Sequence, residues 1–541
     1  MENICQYFLD SAQKFPNRIA IIHKSQSITF QELEQRVKET SLYFCKMGIK
    51  EGYRVLVFVP MSIDLYVNVL SLFYIGATAV FLDQFLDRKK LESCAKIANC
   101  QGFIGVWKSK LLFLLSKQIR NIPIRLEVRN GLDKLEKEIG KNWRDIYFDD
   151  RYSKNSSLTA LITFTTGSTA TPKAAKRTHN FLNEQFLALS EVLADNQIKS
   201  NKGFKTELTT LPIVLLLNLG IGSTSVIADF KKIEKMKPQK ILSQIKKYKI
   251  DRMVGSPFFV RMLSEFIENE TRKNKVNKAD FDSLKEIFVG GAPVFQDDAE
   301  YFDSIFSNSS IKIVYGSTEA EPISVVSTLD FKQKKQSKGL FVGKPYHKTK
   351  VKIITITNEI IFCENEQKLD KITQPQNEIG EIIVSGLHVL EEYFFDENDK
   401  QNKEEAKQIV LKNKIFIDGV CWHRTGDSGF LDDENNLFLT GRCNSLIYKN
   451  KEGKELIYAP FYYERLLNQI DEIEIGTLIL KNHKLTFIIE LKTSYQKKNI
   501  QNAISQKLQN DFLDIEQIIF IKKIPKDKRH YSKIDYSKLS S

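Results

Sequence analysis

The chain has 541 residues, 42% hydrophobic and 27% charged, with 80 basic against 67 acidic residues for a net charge of +13. That length exceeds one ordinary core and implies at least two domains, while the lysines are scattered among Glu and Asp without a long basic run interleaved with aromatics, which excludes nucleic acid as a partner. Seven cysteines (5, 45, 94, 100, 363, 421 and 443), an odd number with no C-x-x-C spacing, exclude a disulfide framework or zinc cluster and suit a reducing, cytoplasmic setting.

The first segment, "MENICQYFLDSAQKFPNR", is polar and lacks the apolar core of a signal peptide. "RVLVFVP" (54–60) reads as a strand, "IDLYVNVLSLFYIG" (63–76) as an apolar helix ending near Gly76, and "TAVFLD" (78–83) as a strand again. The stretch 208–228, "LTTLPIVLLLNLGIGSTSVIA", carries no charge over 21 residues. It is long enough to span a bilayer, but Pro212, Asn218, Gly220, Gly222 and the run 223–225 interrupt it, so buried core plus a turn is the reading adopted over a transmembrane segment. In "PQKILSQIKKYKI" (238–250), Ile241, Ile245 and Tyr248 fall at helical spacing before "DRMVGSP" turns back into a strand, and "LKEIFVGGAP" and "IKIVYGSTE" each run from strand to Gly. This alternation predicts parallel sheets with helices on both faces and a site outside the carboxyl ends of the strands.

Beyond about residue 340, short strands separated by Gly, Asn and Asp ("TKVKIITI", "NEIGEIIVSG", "NNLFLTG", "SLIYKN") predict a β-rich section. The charged segment 395–413 reads as a solvated loop and helix. A compact block follows, in which "FYYERLLNQI" and "NIQNAISQKLQNDF" are helical and "EIGTLIL" and "LTFIIEL" are strands. The expected fold class is therefore α/β: a large N-terminal domain (1–442) of stacked mixed sheets flanked by helices, with a β-rich subdomain at about 340–442, and a small α+β C-terminal domain (443–541).

One segment carries a chemical signal of its own. In "TFTTGSTATPKAAKRTH" (163–179), a strand feeds a turn with five hydroxyls between residues 165 and 171, followed by Pro172 and Lys173. Backbone amides in such a turn form an anion-binding concavity, and Lys173 adds a point charge, so the fitting ligand is a polyphosphate. A Walker A loop is excluded, because Pro172 stands where that motif has Gly. A plain Ser/Thr-rich surface loop is the competing reading.

The segment resembles the phosphate-binding signature of the adenylate-forming (AMP-binding) superfamily, the acyl-CoA synthetases and their relatives. "VYGSTEAEP" (314–322) resembles that family's nucleotide and metal signature, and "HRTGDSGFLDDENNLFLTGR" (423–442) its ribose-binding segment and hinge; "GEIIVSG" (380–386) and "SITFQELEQRV" (27–37) fit the same order. The finer match, with "GVCWHRTGDSGFLDD" and "RHYSKIDY", resembles the branch holding fatty-acid CoA ligases and the β-lactone synthetases of olefin biosynthesis.

The resemblance implies ATP-dependent activation of a carboxylic acid to an acyl-adenylate, with Mg²⁺, followed by transfer to CoA. It places Thr165, Thr166, Gly167, Ser168, Thr169 and Lys173 around the β- and γ-phosphates, with Thr166 and Glu319 holding the metal. Adenine is expected between Gly290, Gly291, Ala292, Pro293 and the ring of Tyr315, within Tyr315, Gly316, Ser317 and Thr318. Asp427 is expected on the ribose hydroxyls, since a carboxylate accepts only and two oxygens match a diol, with Arg442 beside it. Lys533 matches the mobile catalytic lysine of the small domain, which turns about a hinge near Asn444. Each assignment has a plainer rival: an Asx turn for Asp427, a surface carboxylate for Glu319, core for Tyr315, and one of several tail lysines for Lys533. His179 is expected to order the start of a helix, His423 to face the nucleotide or pack, and 211–217 to flank the acyl pocket or pack in the core.

Departures from the family pattern bear on the second half-reaction. Ala170 and Ala174 stand where the family usually has Gly, a strain of roughly 1 kcal/mol if Ala170 needs positive φ. Asn444 replaces the usual hinge Asp or Lys, and "KNKEGKELIYAPFYYE" replaces a stretch that helps form the thiol entrance in CoA ligases. Three functions stay open: acyl-CoA ligation, β-lactone formation from a β-hydroxy acid, and a nucleotide-binding protein without turnover. CoA or an acyl carrier protein would be the acceptor partner, and peripheral membrane contact stays open.

Overall fold

The computed structural model describes residues 2–82, 88–128, 152–165, 172–193, 205–333, 339–395, 400–451, 454–492, 500–509, 514–527 and 533–539. Two large sheets form its body. The first has eight strands in the spatial order 320–327, 310–317, 286–290, 252–255, 206–209, 224–227, 19–23 and 26–29; the second has six, ordered 124–127, 102–105, 54–58, 78–81, 159–165 and 173–178. Their interiors are parallel, as the alternation of strand and helix predicts. Three pairs at sheet edges are antiparallel instead: 19–23 with 26–29, 310–317 with 320–327, and 159–165 with 173–178. The reason is connection length, since a short link joins antiparallel neighbours and a parallel pair needs a crossover of a dozen or more residues.

The helix Ile63–Tyr74 shows how the sheets stack. Eleven of its twelve residues are buried, as expected of a helix that is apolar all round. It shares one core with Ile21 and Ile227 of the first sheet and Val55 and Ala79 of the second. Stretch 208–228 is strand, helix and strand: Thr206–Thr209, Pro212–Ile221 and Thr224–Ile227. Its helix ends at Gly222, in the left-handed conformation at φ +76°, where Gly carries no steric penalty. No helix among the described residues is long and apolar enough to cross a membrane.

The β-rich section is a third sheet, ordered 340–343, 437–442, 420–431, 380–385 and 350–354, with 414–417 paired to 420–431. All its pairings are antiparallel. Leu340 and Leu437 join the core of the eight-stranded sheet. The C-terminal block has the hairpin 447–451/454–458, the helix Pro460–Asn468, a sheet of 473–481, 484–491 and 517–521, and the helix Ile500–Leu508. It packs around its own core, with Leu467, Phe487 and Ile504 fully buried. It touches the rest through the ring of Phe461 against Phe295, centroids 5.8 Å apart, and a hydrogen bond from Gln469 to Asp297.

Candidate active site

The parallel pairing of two neighbouring strands runs in register to Gly290 and Val314, so 290–293 and Tyr315 follow side by side where it ends, at the side of an open α/β sheet that binds ligands. A Cβ on Gly290 would stand 3.2 Å from the Val314 carbonyl oxygen, so a side chain there would crowd the neighbouring strand. Tyr315 donates its hydroxyl to Asp427 Oδ2 at 2.8 Å. Arg442, opposite Asp427 across the strand pair, donates from Nη1 to Oδ1 at 2.7 Å. Gly426 makes room for this contact: its φ is +68°, and a Cβ there would meet Arg442 Nη2 at 2.8 Å. Both Asp427 oxygens are thus held by side chains from elsewhere, which removes the Asx-turn reading. Burial first, then the charge of Asp427, pushes the Tyr315 phenol well above its ordinary range. The Asp427 charge in turn raises the Arg442 guanidinium.

Glu319 is buried, not a surface carboxylate. Tyr393 donates its hydroxyl to Glu319 Oε1 at 3.3 Å, and Arg177 holds the turn by donating to the Thr318 carbonyl at 3.0 Å. Among the described residues no group of three or more His, Cys, Asp or Glu stands together as a metal cage. A single buried carboxylate lining the cleft fits Mg²⁺, which keeps most of its shell as water and substrate oxygens.

The Ser/Thr segment is followed by the strand that Lys173 opens, in which Lys173 lies opposite Thr165 of the preceding strand. A strand therefore separates it from the helix His179–Leu193. Thr166, Gly167, Ser168, Thr169 and Ala170, and the side chain of Thr165, lie outside the described residues. Lys173 Nζ donates to Asn413 Oδ1 at 2.5 Å. Burial lowers its pKa, with Glu319 partly offsetting and Arg442 adding to the drop. Lys414 is buried alongside, donating to the Leu390 carbonyl with Nζ 5.5 Å from the Tyr393 ring centre, and burial lowers it to about 8. His423 is held well below its usual value, first by burial and then by Lys414, and its Nδ1 lies 3.3 Å from the Asn413 carbonyl. His423 is therefore neutral. His179, the first residue of its helix, is also buried, and burial lowers it to about 4.

Lys173, Gly290 to Pro293, Tyr315 to Glu319, Asp427, Arg442 and Lys533 all line one cleft of about 3040 Å³. That is several-fold larger than the roughly 300–1,000 Å³ of a single small-molecule site, so sharing the cleft sets no contact distance for Lys533. Lys533 sits in a turn whose backbone N–H donates to Asp527 Oδ1 at 2.8 Å. The cleft continues into a small apolar chamber of about 40 Å³ between the helices His179–Leu193 and Pro212–Ile221; Phe73, Gln185, Leu189, Ile213 and Leu216 line both. Gln185 is the polar intruder in that wall: it is 2% exposed and its Oε1 has no hydrogen-bond partner.

The residues that sequence reasoning missed are Asn413, Lys414, Tyr393, Arg177 and Gln185. Arg177 lies inside the segment 163–179 without a role read for it there, and the other four belong to no motif. Asn413, Lys414, Tyr393 and Arg177 reach the site through contacts distant in sequence, which a single chain does not display.

The AMP-binding enzyme family matches residues 8–394. An olefin β-lactone synthetase of Stenotrophomonas maltophilia (strain K279a) is 24% identical over 81% of this chain and 75% of its own. 4-Coumarate–CoA ligase 1 of Narcissus pseudonarcissus is 22% identical over 96% of this chain and 90% of its own. The solved O-succinylbenzoate coenzyme A synthetase of Bacillus subtilis, in complex with ATP and magnesium ion, superposes with a TM-score of 0.72 at 20% identity, covering 98% of both chains. The chain belongs to the AMP-binding enzyme family, the adenylate-forming ligases related to the acyl-CoA synthetases.

Proposed function

We propose that this protein joins a carboxylic acid of the fatty class to AMP and then transfers the acyl group to a thiol, with CoA as the acceptor. The supporting observation is the junction of the Tyr315–Asp427–Arg442 cluster and the desolvated Lys173 with an apolar chamber in one cleft. In the first step a substrate carboxylate oxygen attacks the α-phosphorus of ATP; the bond to the bridging oxygen breaks and pyrophosphate leaves with that electron pair. In the second, a thiolate attacks the acyl carbon and AMP leaves.

In this reading residues 165–169 and Lys173 bind the β- and γ-phosphates, and Thr166 and Glu319 hold Mg²⁺, which neutralises charge on the phosphate oxygens when bound. Gly290 to Pro293 and residues 315–318 enclose the adenine, and Asp427, steadied by Tyr315 and Arg442, accepts from the ribose hydroxyls. Lys533 bridges the attacking carboxylate and the α-phosphate, stabilising charge that develops only in the transition state. Residues 1–442 and 443–541 act as two domains hinged near Asn444, so closure delivers Lys533 and reopening admits the thiol.

The unpartnered Gln185 Oε1 favours a second reading. A buried acceptor left unpaired costs about 1–3 kcal/mol, and a hydroxyl on the acyl chain would satisfy it. A hydroxy acid, once adenylated, can close on its own hydroxyl to a lactone without a thiol, the activity named for the bacterial relative. The test is a pyrophosphate-release screen over acids of graded length, with and without a β-hydroxyl, and with and without CoA. CoA-dependent acyl thioester from plain acids supports the first reading. Thiol-independent lactone from hydroxy acids supports the second, and no acid-dependent pyrophosphate overturns both.

A further inference from the structure

Beside the mouth of the cleft the chain presents an apolar face to solvent. Trp107, Leu111, Leu114 and Leu115 are 72%, 61%, 71% and 41% exposed. They lie within nine residues of a 3₁₀ turn, Trp107–Leu111, running into a helical turn, Leu112–Leu115. Their spacing of four, seven and eight residues puts them on one side. The opposite side is anchored: Ser109 is buried, and the Phe113 ring packs against Phe103 at 4.9 Å and under the Arg125 guanidinium. The segment is thus amphipathic with its apolar side outward, the reverse of a helix that serves a core.

The charge around this face is one-sided. Residues 88–127 contain nine Lys or Arg and two Glu, a net +7, more than half of the whole chain's +13. Arg88 ties the exposed basic run 88–90 to the face by donating to the Leu115 carbonyl at 3.1 Å, and Lys108, Lys117 and Arg120 are exposed on its borders. Exposed Trp and Leu within a basic rim match an acyl–headgroup boundary carrying negative charge. An acidic protein would match the rim as well, and the vesicle test below separates the two. Trp107 and Lys108 also line the cleft, so a bilayer docked there would meet its entrance.

We propose that Trp107, Leu111, Leu114 and Leu115 insert into anionic lipid bilayers and hold the cleft at a membrane surface, where poorly soluble acids reside. This does not depend on the adenylation reading, because docking is measured without turnover. The experiment is cosedimentation of the full chain with phosphatidylcholine vesicles, alone or with about 30% phosphatidylglycerol, at low salt and at about 0.5 M salt. Expected is at least about tenfold stronger binding to the anionic vesicles, weakened by salt, and a comparable loss in L111S/L114S. Binding should also shift Trp emission to the blue, and W107F should keep the binding while losing the shift. The fluorescence pair decides the matter even if L111S/L114S folds poorly. Equal binding of L111S/L114S in folded form, equal binding to neutral vesicles, or a shift that survives in W107F overturns the proposal. Absence of binding also overturns it and leaves the face to a protein partner.

Discussion

Two parts of the cleft hold their charged groups in opposite ways. On the sheet wall of the cleft, Asp427 and Arg442 face each other across a strand pair, with the Tyr315 hydroxyl closing the cluster. On the C-terminal block, Lys533 stands in a turn, with its backbone tied to Asp527 and its neighbour Ile534 bridged to Lys526. The first arrangement is fixed by sheet register before any ligand arrives. The second carries its lysine on a block with its own core. A group needed throughout the reaction belongs on the wall. One needed for a single step is better delivered on a part that can move away.

The sharpest way to break this comparison is Lys533→Ala. Acid-dependent pyrophosphate exchange should fall about 10²- to 10³-fold, the scale of one lost transition-state donor. Thiol attack on a supplied acyl-adenylate should stay largely intact. Equal loss in both steps would mean that Lys533 is as permanent a part of the site as Asp427.

Asp427→Ala tests the other side. It removes an acceptor fixed by two donors, and hydrogen bonds to charged groups contribute about 1.5–3 kcal/mol, so ATP affinity should drop about 10- to 100-fold by calorimetry. Tyr315→Phe, which leaves Arg442 in place, should cost less. An unchanged ATP affinity in Asp427→Ala would take that carboxylate out of the ribose site.

Much of the wall was legible in the sequence because motifs carry it: Gly290 ends a strand, Tyr315 begins the next signature, and Asp427 and Arg442 bracket a hairpin. What could not be read is the support behind those residues. Asn413 ends a charged helix that reads as solvated, and six of the eleven residues in it whose burial is described are exposed, yet its last side chain holds Lys173. Lys414 is one lysine among many by sequence and a buried one by structure. The antiparallel sheet edges were hidden for a related reason: alternating apolar runs announce strands but not their direction, which the lengths of the connections decide. Lys533 was identified by its motif alone, and the turn that holds it contains no periodic signal.

The smallest expected effect on turnover comes from beneath that turn. Glu464, buried in the C-terminal block, accepts from Thr477 at 2.7 Å and from Tyr536, three residues past Lys533. Burial raises its pKa to about 7, and those two hydrogen bonds offset it only in part. A carboxyl raised above its unfolded value stabilises the fold fully below the unfolded pKa and loses that contribution as pH rises through the folded one. The protection of residues 454–491 against hydrogen exchange, corrected for intrinsic rates, should therefore decline between about pH 4.5 and 7, by on the order of 2 kcal/mol. Glu464→Gln keeps an acceptor for both donors and removes the titration, so its protection should be flat over that range. Pyrophosphate exchange at pH 6 should change by no more than a few-fold, because the wall is untouched. If Glu464→Gln instead abolished exchange, as is expected of Lys533→Ala, the position of Lys533 would depend on this buried carboxyl, and the block would be as rigidly specified as the sheet wall.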